Sequence, residues 1–360
     1  MTEEDIDGQP QCIVDAHLDL AYNAVVLGRD LTQPVTAIRG REQQTPAPDP
    51  RAGTCTVSWP ALLEGHIRVV GATLFVEPGR KSRRRPIPTY QTPDEARDLA
   101  VAQLDYYRRM CDEREEIRCI TNSADLEALL DPSTPQVGLF IVMEGADPIT
   151  RPDALGWWVE RGLRGVALSW ATGSRYAGGN AAPGPLTDEG RALLREMANF
   201  NLLLDISHLW EDAAYRAVDL YPGPIAATHA NPRALVDTPR QLPDDLIRQI
   251  AERGGVIGVV ANNGMLIPSW TRNSPRPPLT RLVEAIDHIC QITGHAQAVG
   301  LGSDLDGGFG VESTPEGLDT IADLGKVGAL LASRGYEPSD IEAVLAGNWA
   351  RVMRAVLQAF

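Results

Sequence analysis

The fold of this chain is decided by the stretch Val14-Asp15-Ala16-His17-Leu18-Asp19, which completes a short apolar segment beginning at Cys12. Alternate residues of a β-strand face the same side, so Asp15, His17 and Asp19 would point together if the strand continues through them. An imidazole and a carboxylate two positions apart at a strand end can bind one divalent metal ion with little rearrangement. A single His-x-Asp is weak evidence, and it gains weight only if later strands also end in metal ligands.

Seven more apolar segments follow, most of them separated by predicted helices. The eight predicted strands cover residues 12–16, 67–76, 137–143, 163–168, 202–206, 224–228, 255–261 and 298–302. Apolar strands that alternate with helices indicate a parallel sheet covered on both faces. Eight such units predict an α/β fold of the (β/α)8 TIM-barrel type, in which the active site lies at the carboxyl ends of the strands.

A doubly wound open sheet is the alternative architecture. It usually offers a glycine-rich phosphate-binding turn after the first strand, and this chain has none there. Residues 28–60 are rich in Pro, Gly, Thr and Gln, and they are predicted as a long insertion after strand one. Extra C-terminal helices are predicted over 317–333, 338–345 and 348–357, within a single metal-dependent hydrolase domain that spans residues 1–360.

Composition narrows the functional classes. The chain has 33 Lys+Arg against 48 Asp+Glu, a formal net charge of −15, which argues against nucleic acid and anionic membranes as partners. The amino terminus is acidic rather than signal-like, and no apolar run approaches the ~20 residues of a membrane span. Five scattered cysteines without a CxxC pair predict reduced thiols. We therefore expect a soluble, cytoplasmic protein.

Polar side chains terminate five of the predicted strands. They are His17 and Asp19, Glu144, His208, His229 and Asp304. In a barrel these ends converge on one cup, so three imidazoles and three carboxylates would meet there. Each residue alone has a structural explanation, such as a helix cap for Asp304 or a core position for His208. Together, at five of eight strand ends, they predict a metal site.

Five ligands are enough for two ions if one of them bridges. Some barrel hydrolases use a carboxylated lysine as the bridge, but the two lysines of this chain, Lys81 and Lys326, lie away from the strand ends. Glu144 is then the candidate bridge, because each of its two oxygens can bind one ion. The predicted ligand sets are His17, Asp19 and Glu144 for one ion, and Glu144, His208 and His229 for the other.

Nitrogen and carboxylate ligands without thiolate suit two Zn²⁺ ions, with Mn²⁺ or Fe²⁺ as alternatives. Two ions ~3.5–4 Å apart can share a hydroxide that attacks a polarised carbonyl. A nearby carboxylate then moves the proton to the leaving group. Asp304 is the candidate for this step, and Glu144 is the second candidate catalytic residue because it bridges the ions.

These residues occur in motifs that match a known family over nearly the whole chain. The matching pieces are Asp15-Ala-His-Leu-Asp19, Glu144-Gly145, Leu204-Asp-Ile-Ser-His208, Thr228-His229, Gly302-Ser-Asp-Leu-Asp-Gly307, Pro315-Glu-Gly-Leu318, and Gly347-Asn348 with Arg351-Val352. In this combination the chain resembles the renal (membrane) dipeptidases, zinc hydrolases of the amidohydrolase-like barrel group. The resemblance implies a binuclear zinc site with the ligands assigned above, hydrolysis of dipeptides, and a homodimer.

The resemblance also implies a substrate-binding residue and reveals one departure. The family has an arginine eleven residues after the last metal histidine, and Arg240 stands at that distance from His229. A bidentate Arg–carboxylate pair would favour substrates with a free C-terminus. The family also has a histidine at the end of strand four, where this chain has Trp170. An indole donates one hydrogen bond without charge, and Arg175 or Tyr176 on the next loop are candidate substitutes.

Three functions are consistent with these observations. The first is a binuclear zinc dipeptidase that acts on small substrates with a free carboxylate. The second is a metal-dependent amidohydrolase of the same barrel that acts on N-acyl amino acids, lactones or cyclic amides, and Trp170 motivates it. The third is a catalytically silent barrel that binds a ligand or partner, and the complete set of metal ligands argues against it.

Overall fold

The computed structural model describes residues 12–79, 87–131 and 133–359. The strands of this part of the chain are β1 (Ile13–Leu18), β2 (Ile67–Phe75), β3 (Ile117–Cys119), β4 (Val137–Glu144), β5 (Leu163–Ala167), β6 (Ala177–Gly179), β7 (Ala182–Leu186), β8 (Leu203–Asp205), β9 (Ile225–Ala226), β10 (Ile257–Val259) and β11 (Val299–Leu301). All eight predicted strands are present, each shifted by no more than a few residues.

Eight strands form a parallel ring in the order β10-β11-β1-β2-β4-β5-β8-β9. A parallel bridge between Ala227, which follows β9, and Ile257 of β10 joins the two ends of this order. The predicted (β/α)8 barrel is therefore confirmed. Outside the ring, β3 pairs with β4, and β6 and β7 form a separate antiparallel hairpin.

The barrel strands are buried because their sequences are almost uninterrupted apolar runs, which is typical of parallel sheets. Glycines permit close packing where the ring closes. A Cβ added to Gly258 or Gly302 would lie 2.0 Å or 1.8 Å from the carbonyl oxygen of Thr228. The end of β9 is thus held tightly against β10 and β11, and this packing positions Thr228 and the residue after it.

Helices connect the strands. They are α1 (Leu20–Val25), α2 (Val35–Gln44), α3 (Trp59–Glu64), α4 (Pro93–Glu113), α5 (Ser123–Leu130), α6 (Leu155–Val159), α7 (Asp188–Asn199), α8 (Glu211–Leu220), α9 (Asp244–Glu252), α10 (Asn263–Leu266), α11 (Thr280–Thr293), α12 (Lys326–Ser333), α13 (Pro338–Glu342) and α14 (Asn348–Leu357). A capping box formed by Thr92 and Glu95 starts α4. The C-terminal helices are also confirmed, although the predicted helix over 317–333 is shorter and starts at Lys326 after a 3₁₀ turn.

The core lies within and around the ring. One large buried cluster joins strand residues such as Ile13 and Leu74 to the surrounding helices. A second cluster holds Val14 and Phe140 together with Trp349 of α14. The C-terminal helix therefore packs onto barrel strands, as expected for a segment that belongs to the same core.

Three local elements were not predicted. The 28–60 insertion is present between β1 and β2 and contains α2, and the rest of it, up to the start of α3 at Trp59, has no regular secondary structure. The short strand β3 and the β6–β7 hairpin are not among the eight predicted strands. β6 and β7 contain glycine, alanine and proline, which have low strand propensity, so their sequences gave no strand signal.

The cysteines need a correction. Cys111 of α4 and Cys119 of β3 form a disulfide, so the expectation that all five are reduced thiols is wrong for this pair. Cys12, Cys55 and Cys290 are free. Disulfides are rare in reducing compartments, and the cytoplasmic location, which remains a prediction, loses this part of its support. None of the described helices is both long enough and apolar enough to cross a bilayer.

Candidate metal centre

Four predicted ligands meet at the carboxyl end of the barrel. Glu144 is the last residue of β4, and its Oε1 lies 3.0 Å from His208 Nε2 and 3.2 Å from His229 Nε2. His17 Nε2 is 3.7 Å from the same oxygen. The rings of His17 and His229 are stacked, with centroids 3.5 Å apart. The convergence predicted from the strand ends is therefore present.

Asp19 and Asp304 form a second group with His17. The potential ligand atoms of His17, Asp19 and Asp304 lie within 4.8 Å of one another, as do those of His17, Glu144 and His229. His17 is common to both groups, whereas the prediction made Glu144 the shared residue. Asp304, predicted as a proton carrier, is also close enough to act as a ligand.

The donor set suits a divalent cation. His17 Nε2 is buried and has no hydrogen-bond partner among the described residues. His208 Nε2 and His229 Nε2 face each other at 3.0 Å. Buried polar atoms normally have partners, and three imidazole nitrogens beside a carboxylate form the ligand type that Zn²⁺ prefers.

One hydroxyl orients two of the imidazoles. Thr228 Oγ1 lies 2.9 Å from His17 Nδ1 and 3.0 Å from His229 Nδ1. The same hydroxyl donates its proton to Asp205 Oδ2 at 2.5 Å. Because that proton is committed to Asp205, the oxygen can only accept from both rings. Each ring then donates from Nδ1, which leaves Nε2 as the atom that faces the metal centre.

Asp205 is itself fixed by the loop after β8. Its Oδ1 accepts hydrogen bonds from the backbone N–H and the hydroxyl of Ser207, and from the N–H of Thr228. The Ser207 hydroxyl oxygen in turn accepts the backbone N–H of His229 at 3.1 Å. This network was missed in the sequence, although Asp205 and Ser207 stand inside the motif that ends in His208.

The third imidazole is oriented by the hairpin that sequence patterns missed. His208 Nδ1 lies 2.9 Å from Asn180 Oδ1, and Asn180 occupies the turn between β6 and β7. The amide oxygen is an acceptor, so the ring donates from Nδ1 and leaves Nε2 free for a cation. The glycine-rich loop after β5 thus supports a metal ligand from outside the barrel.

The three histidines differ in their pKa values because their electrostatic surroundings differ. Burial lowers the pKa of His208 to about 4 and holds the pKa of His229 well below its usual value. Burial also disfavours a charged His17, but the carboxylates of Glu144 and Asp19 outweigh it and raise its pKa to about 9. His208 and His229 are therefore neutral at pH 7, the form that binds metal. The carboxylates that raise the pKa of His17 also attract a cation.

The three carboxyl groups of the site also differ in their pKa values. Burial would raise the pKa of Glu144, but the charge of His17 and the adjacent imidazoles keep it well below its usual range. Burial and the charge of Glu144 raise the pKa of Asp19 to about 6. Burial raises the pKa of Asp304 well above its ordinary value, and Asp19 and Glu144 add to this shift. Asp304 is thus the carboxylate best suited to hold a proton.

Arg240 lies in the wall of the same cavity. Its Nη1 and Nη2 donate to the backbone carbonyls of Ser207 at 2.8 Å and His229 at 2.7 Å. These contacts hold the guanidinium over the ends of β8 and β9, beside the metal ligands. The other N–H groups of an arginine remain available to an anionic substrate group.

The cavity measures about 190 Å³, below the ~300–1,000 Å³ of pockets for drug-sized ligands. Its lining includes Glu144, Arg240 and Asp304, and also Trp170, whose ring centroid is 6.1 Å from that of His208. Arg175 and Tyr176 are absent from the described lining. The Tyr176 hydroxyl and the Arg175 guanidinium instead donate to the carbonyl of Ile149, so neither side chain is placed to contact a substrate in this cavity.

Comparison with known families agrees with this geometry. The sequence profile of the membrane dipeptidase family, peptidase family M19, matches residues 9–359 of this chain. The chain belongs to this family. Membership of the membrane dipeptidase family confirms the resemblance read from the motifs and classes the chain with the dipeptidase-type metallopeptidases, which are hydrolases.

The chain is also similar to individual dipeptidases and to solved metallopeptidase structures. It is 25% identical to dipeptidase 3 of Mus musculus over 281 residues, which cover 76% of this chain and 54% of the mouse protein. A solved family M19 dipeptidase matches with a TM-score of 0.80 at 22% identity, covering 97% of this chain and 99% of that one. A metallopeptidase from Rhodobacter sphaeroides, solved with a phosphinate mimic of the dipeptide L-Ala-D-Ala, gives 0.79 at 22% identity, covering 96% and 99%.

Proposed function

We propose that this membrane dipeptidase relative is a binuclear zinc dipeptidase that hydrolyses the peptide bond of small substrates with a free carboxylate. One observation carries the proposal. Three imidazole Nε2 atoms lie within 3.7 Å of one oxygen of Glu144, which lines a small cavity together with the Arg240 guanidinium. The dipeptide mimic bound to the Rhodobacter sphaeroides metallopeptidase supports the substrate class.

The metal ligands in this proposal are His17, Asp19, Glu144, His208 and His229. Two Zn²⁺ ions, with Mn²⁺ or Fe²⁺ as alternatives, would polarise the scissile carbonyl and lower the pKa of the attacking water. Glu144 is proposed as the shared ligand because one of its oxygens lies within 3.7 Å of the Nε2 atoms of the β1 imidazole and of the two imidazoles that follow β8 and β9. His17 is an alternative member of either set, since it lies within reach of both groups.

The remaining roles belong to Arg240 and Asp304. Arg240 would bind the substrate carboxylate, because its guanidinium is anchored by two carbonyls and faces the cavity. Asp304 would carry the proton to the leaving amine, since burial and the neighbouring carboxylates favour its protonated form. The two residues share the cavity with the metal ligands, so a dipeptide could contact both at once.

Metal analysis combined with a hydrolysis screen tests this proposal. Protein loaded with zinc should bind about two ions per chain and cleave dipeptides with a free C-terminus. We expect His208→Ala to lose metal and turnover, and Asp304→Ala to lose turnover. His288→Ala is the matched control, because His288 contacts Asp244 on the outside of the barrel. Unchanged rates in the His208 and Asp304 variants would refute the proposal.

A second candidate function is hydrolysis of N-acyl amino acids, lactones or cyclic amides. The specific observation is Trp170, which lines the cavity where the family resemblance implies a histidine. An uncharged indole stabilises a developing oxyanion less than an imidazolium would. Turnover of N-acyl amino acids with inert dipeptides would favour this function, and the reverse result would exclude it.

Two further expectations remain proposals. We propose that residues 1–360 are one hydrolase domain, because the match to the family spans nearly all of them. We also propose the homodimer that the family resemblance implied. Light scattering at several concentrations tests the dimer: a mass near 39 kDa at every concentration would contradict it.

A further inference from the structure

An apolar surface lines part of the candidate active-site cavity. Its centre is a row of three rings, Tyr22, Phe75 and Trp170, which we call the aromatic wall. The ring centroids of Tyr22 and Phe75 are 5.2 Å apart, and those of Phe75 and Trp170 are 5.1 Å apart, both pairs tilted by 55°. Leu27 and Ala52 belong to the same apolar cluster and also line the cavity.

The aromatic wall is preformed. Tyr22 and Phe75 are only 7% and 6% exposed, so their exposed edges are those that face the cavity. Phe75 is held at the end of β2 by a hydrogen bond from its N–H to Gln103 Oε1 at 3.0 Å. Tilted rings at these distances can accept a further ring or a branched aliphatic group without rearrangement. The wall therefore resembles a binding surface more than a gap in the core.

The wall and Arg240 lie on different sides of the metal ligands. Tyr22 follows β1, Phe75 ends β2 and Trp170 follows β5, whereas Arg240 is anchored to the loops after β8 and β9. Glu144, at the end of β4, stands between β2 and β5 in the ring. A substrate with its carboxylate on Arg240 and its scissile carbonyl at the metal ligands would thus extend its amino side to the wall.

We propose that the aromatic wall selects an apolar side chain, preferably an aromatic one, on the amino side of the scissile bond. This inference rests on the proposed dipeptidase function and adds the class of the first residue. An acidic side chain is disfavoured there. Arg51, the described cation at the aromatic-wall end of the cavity, already forms ion pairs with Asp49 at 2.6 Å and Glu77 at 3.2 Å.

Steady-state kinetics on a matched dipeptide panel test this preference. The zinc-loaded protein is assayed with Phe-Gly, Leu-Gly, Ala-Gly and Glu-Gly, which share the C-terminal residue and differ only at the first side chain. We expect kcat/KM for Phe-Gly to exceed that for Ala-Gly at least about tenfold, with Glu-Gly the poorest substrate. Equal values across the panel, or a preference for Glu-Gly, would overturn the inference.

Variants connect the preference to the wall. Trp170→Ala should reduce the Phe-Gly to Ala-Gly ratio about tenfold, and Phe75→Leu should reduce it as well. Trp157→Ala is the control, since Trp157 is another partly exposed tryptophan that packs with Arg97 and Arg161 away from the cavity. An unchanged ratio in both wall variants would assign the preference to other residues and contradict the inference.

Binding measurements separate this inference from the proposed function. Phosphinate analogues of Phe-Gly and Ala-Gly are titrated into the zinc-loaded protein by calorimetry. If no dipeptide is hydrolysed, the proposed function fails, but tighter binding of the Phe-Gly analogue would still support the wall. If dipeptides are hydrolysed and both analogues bind equally, the proposed function stands and the inference about the wall fails.

Discussion

At the scale of single residues, the metal centre depends on where protons sit on imidazole rings. Thr228 accepts from the Nδ1 atoms of both His17 and His229 because its own proton is committed to Asp205. Without that arrangement either ring could flip or change tautomer and direct an N–H at the cation. The Thr228 hydroxyl is not itself a metal ligand, but it determines whether His17 and His229 can coordinate a metal ion.

We expect Thr228→Val to weaken zinc binding about 10–100-fold, because partners of this kind typically contribute that much to metal affinity. Valine keeps the shape of threonine but cannot accept from either imidazole. Competition with a chelator of known affinity measures the loss. Thr228→Ser keeps the hydroxyl and should bind zinc like the original chain. Equal affinity of the Val and Ser variants would contradict the assigned role.

A second prediction at this scale concerns Arg240. Lysine keeps the charge but cannot hold two backbone carbonyls and a carboxylate with one planar group. Arg240→Lys should therefore raise KM for a dipeptide by about tenfold or more. A dipeptide amide, which lacks the carboxylate, should be a poor substrate for both proteins and show little difference between them. A similar loss on both substrates would argue against a carboxylate clamp.

At the scale of elements, the 28–60 insertion is connected to the loop that carries Asp304. Asp304 and Asp306 adopt left-handed backbone conformations, with φ of 57° and 64°. Such conformations cost energy for residues other than glycine and persist only where the surroundings hold them. The Asp306 carboxylate accepts from the N–H and hydroxyl of Thr56 and the N–H of Val57, and it pairs with Arg29 at 3.3 Å. The insertion therefore braces the Asp304 loop.

Removing one bond of this brace should affect turnover more than binding. We expect Thr56→Val to lower kcat about 3–10-fold with KM and zinc content nearly unchanged, because Asp304 would be less well positioned while Arg240 and the ligands remain in place. Thr56→Ser should restore the rate. Thr54→Val is the control, since Thr54 contacts Glu312 through its backbone N–H rather than Asp306. A loss of kcat/KM that comes from a raised KM, with kcat unchanged, would contradict the positioning role.

The disulfide is an element-scale feature that stabilises without touching the site. It joins the end of α4 to β3 across a sequence separation of 8 residues. Closing a loop of that length removes chain entropy worth about 2.5 kcal/mol from the unfolded state. The Cys111→Ser/Cys119→Ser double variant should therefore unfold at a lower temperature, with kcat unchanged. If its unfolding temperature matches that of the oxidised protein, the crosslink contributes nothing to stability.

At the scale of the whole molecule, the barrel and its ligand positions follow from local sequence patterns. Continuous apolar runs predict the eight strands, and polar residues directly after them predict the cup. Thr228, Asp205 and Asn180 were not predicted because their roles depend on pairs of residues far apart in the chain. Asn180 belongs to a hairpin with low strand propensity, and Thr228 acts through His17, 211 residues away. Orientation of a ligand requires tertiary contacts that a pattern in one strand does not encode.

Metal binding should also stabilise the fold as a whole, because the proposed ligands belong to or follow four separate barrel strands, β1, β4, β8 and β9. A ligand that binds only the folded chain adds about 4.1 kcal/mol at a concentration 1,000 times its Kd. Each kcal/mol raises the Tm of a domain of this size by about two degrees. We therefore expect zinc to raise the Tm by several degrees and a chelator to reverse the shift.

The ligand variants decide whether this shift comes from the proposed centre. His229→Ala should lose the zinc-dependent rise in Tm, because the cation then no longer links β9 to β4. His288→Ala should keep the rise, since its imidazole bonds Asp244 outside the barrel. A rise that persists in His229→Ala would mean that zinc stabilises the chain elsewhere. If zinc is required for turnover but does not change the Tm, the metal ligands are already in place without the metal. In that case the hydrogen bonds of Thr228 and Asn180 are sufficient to preorganise the ligands.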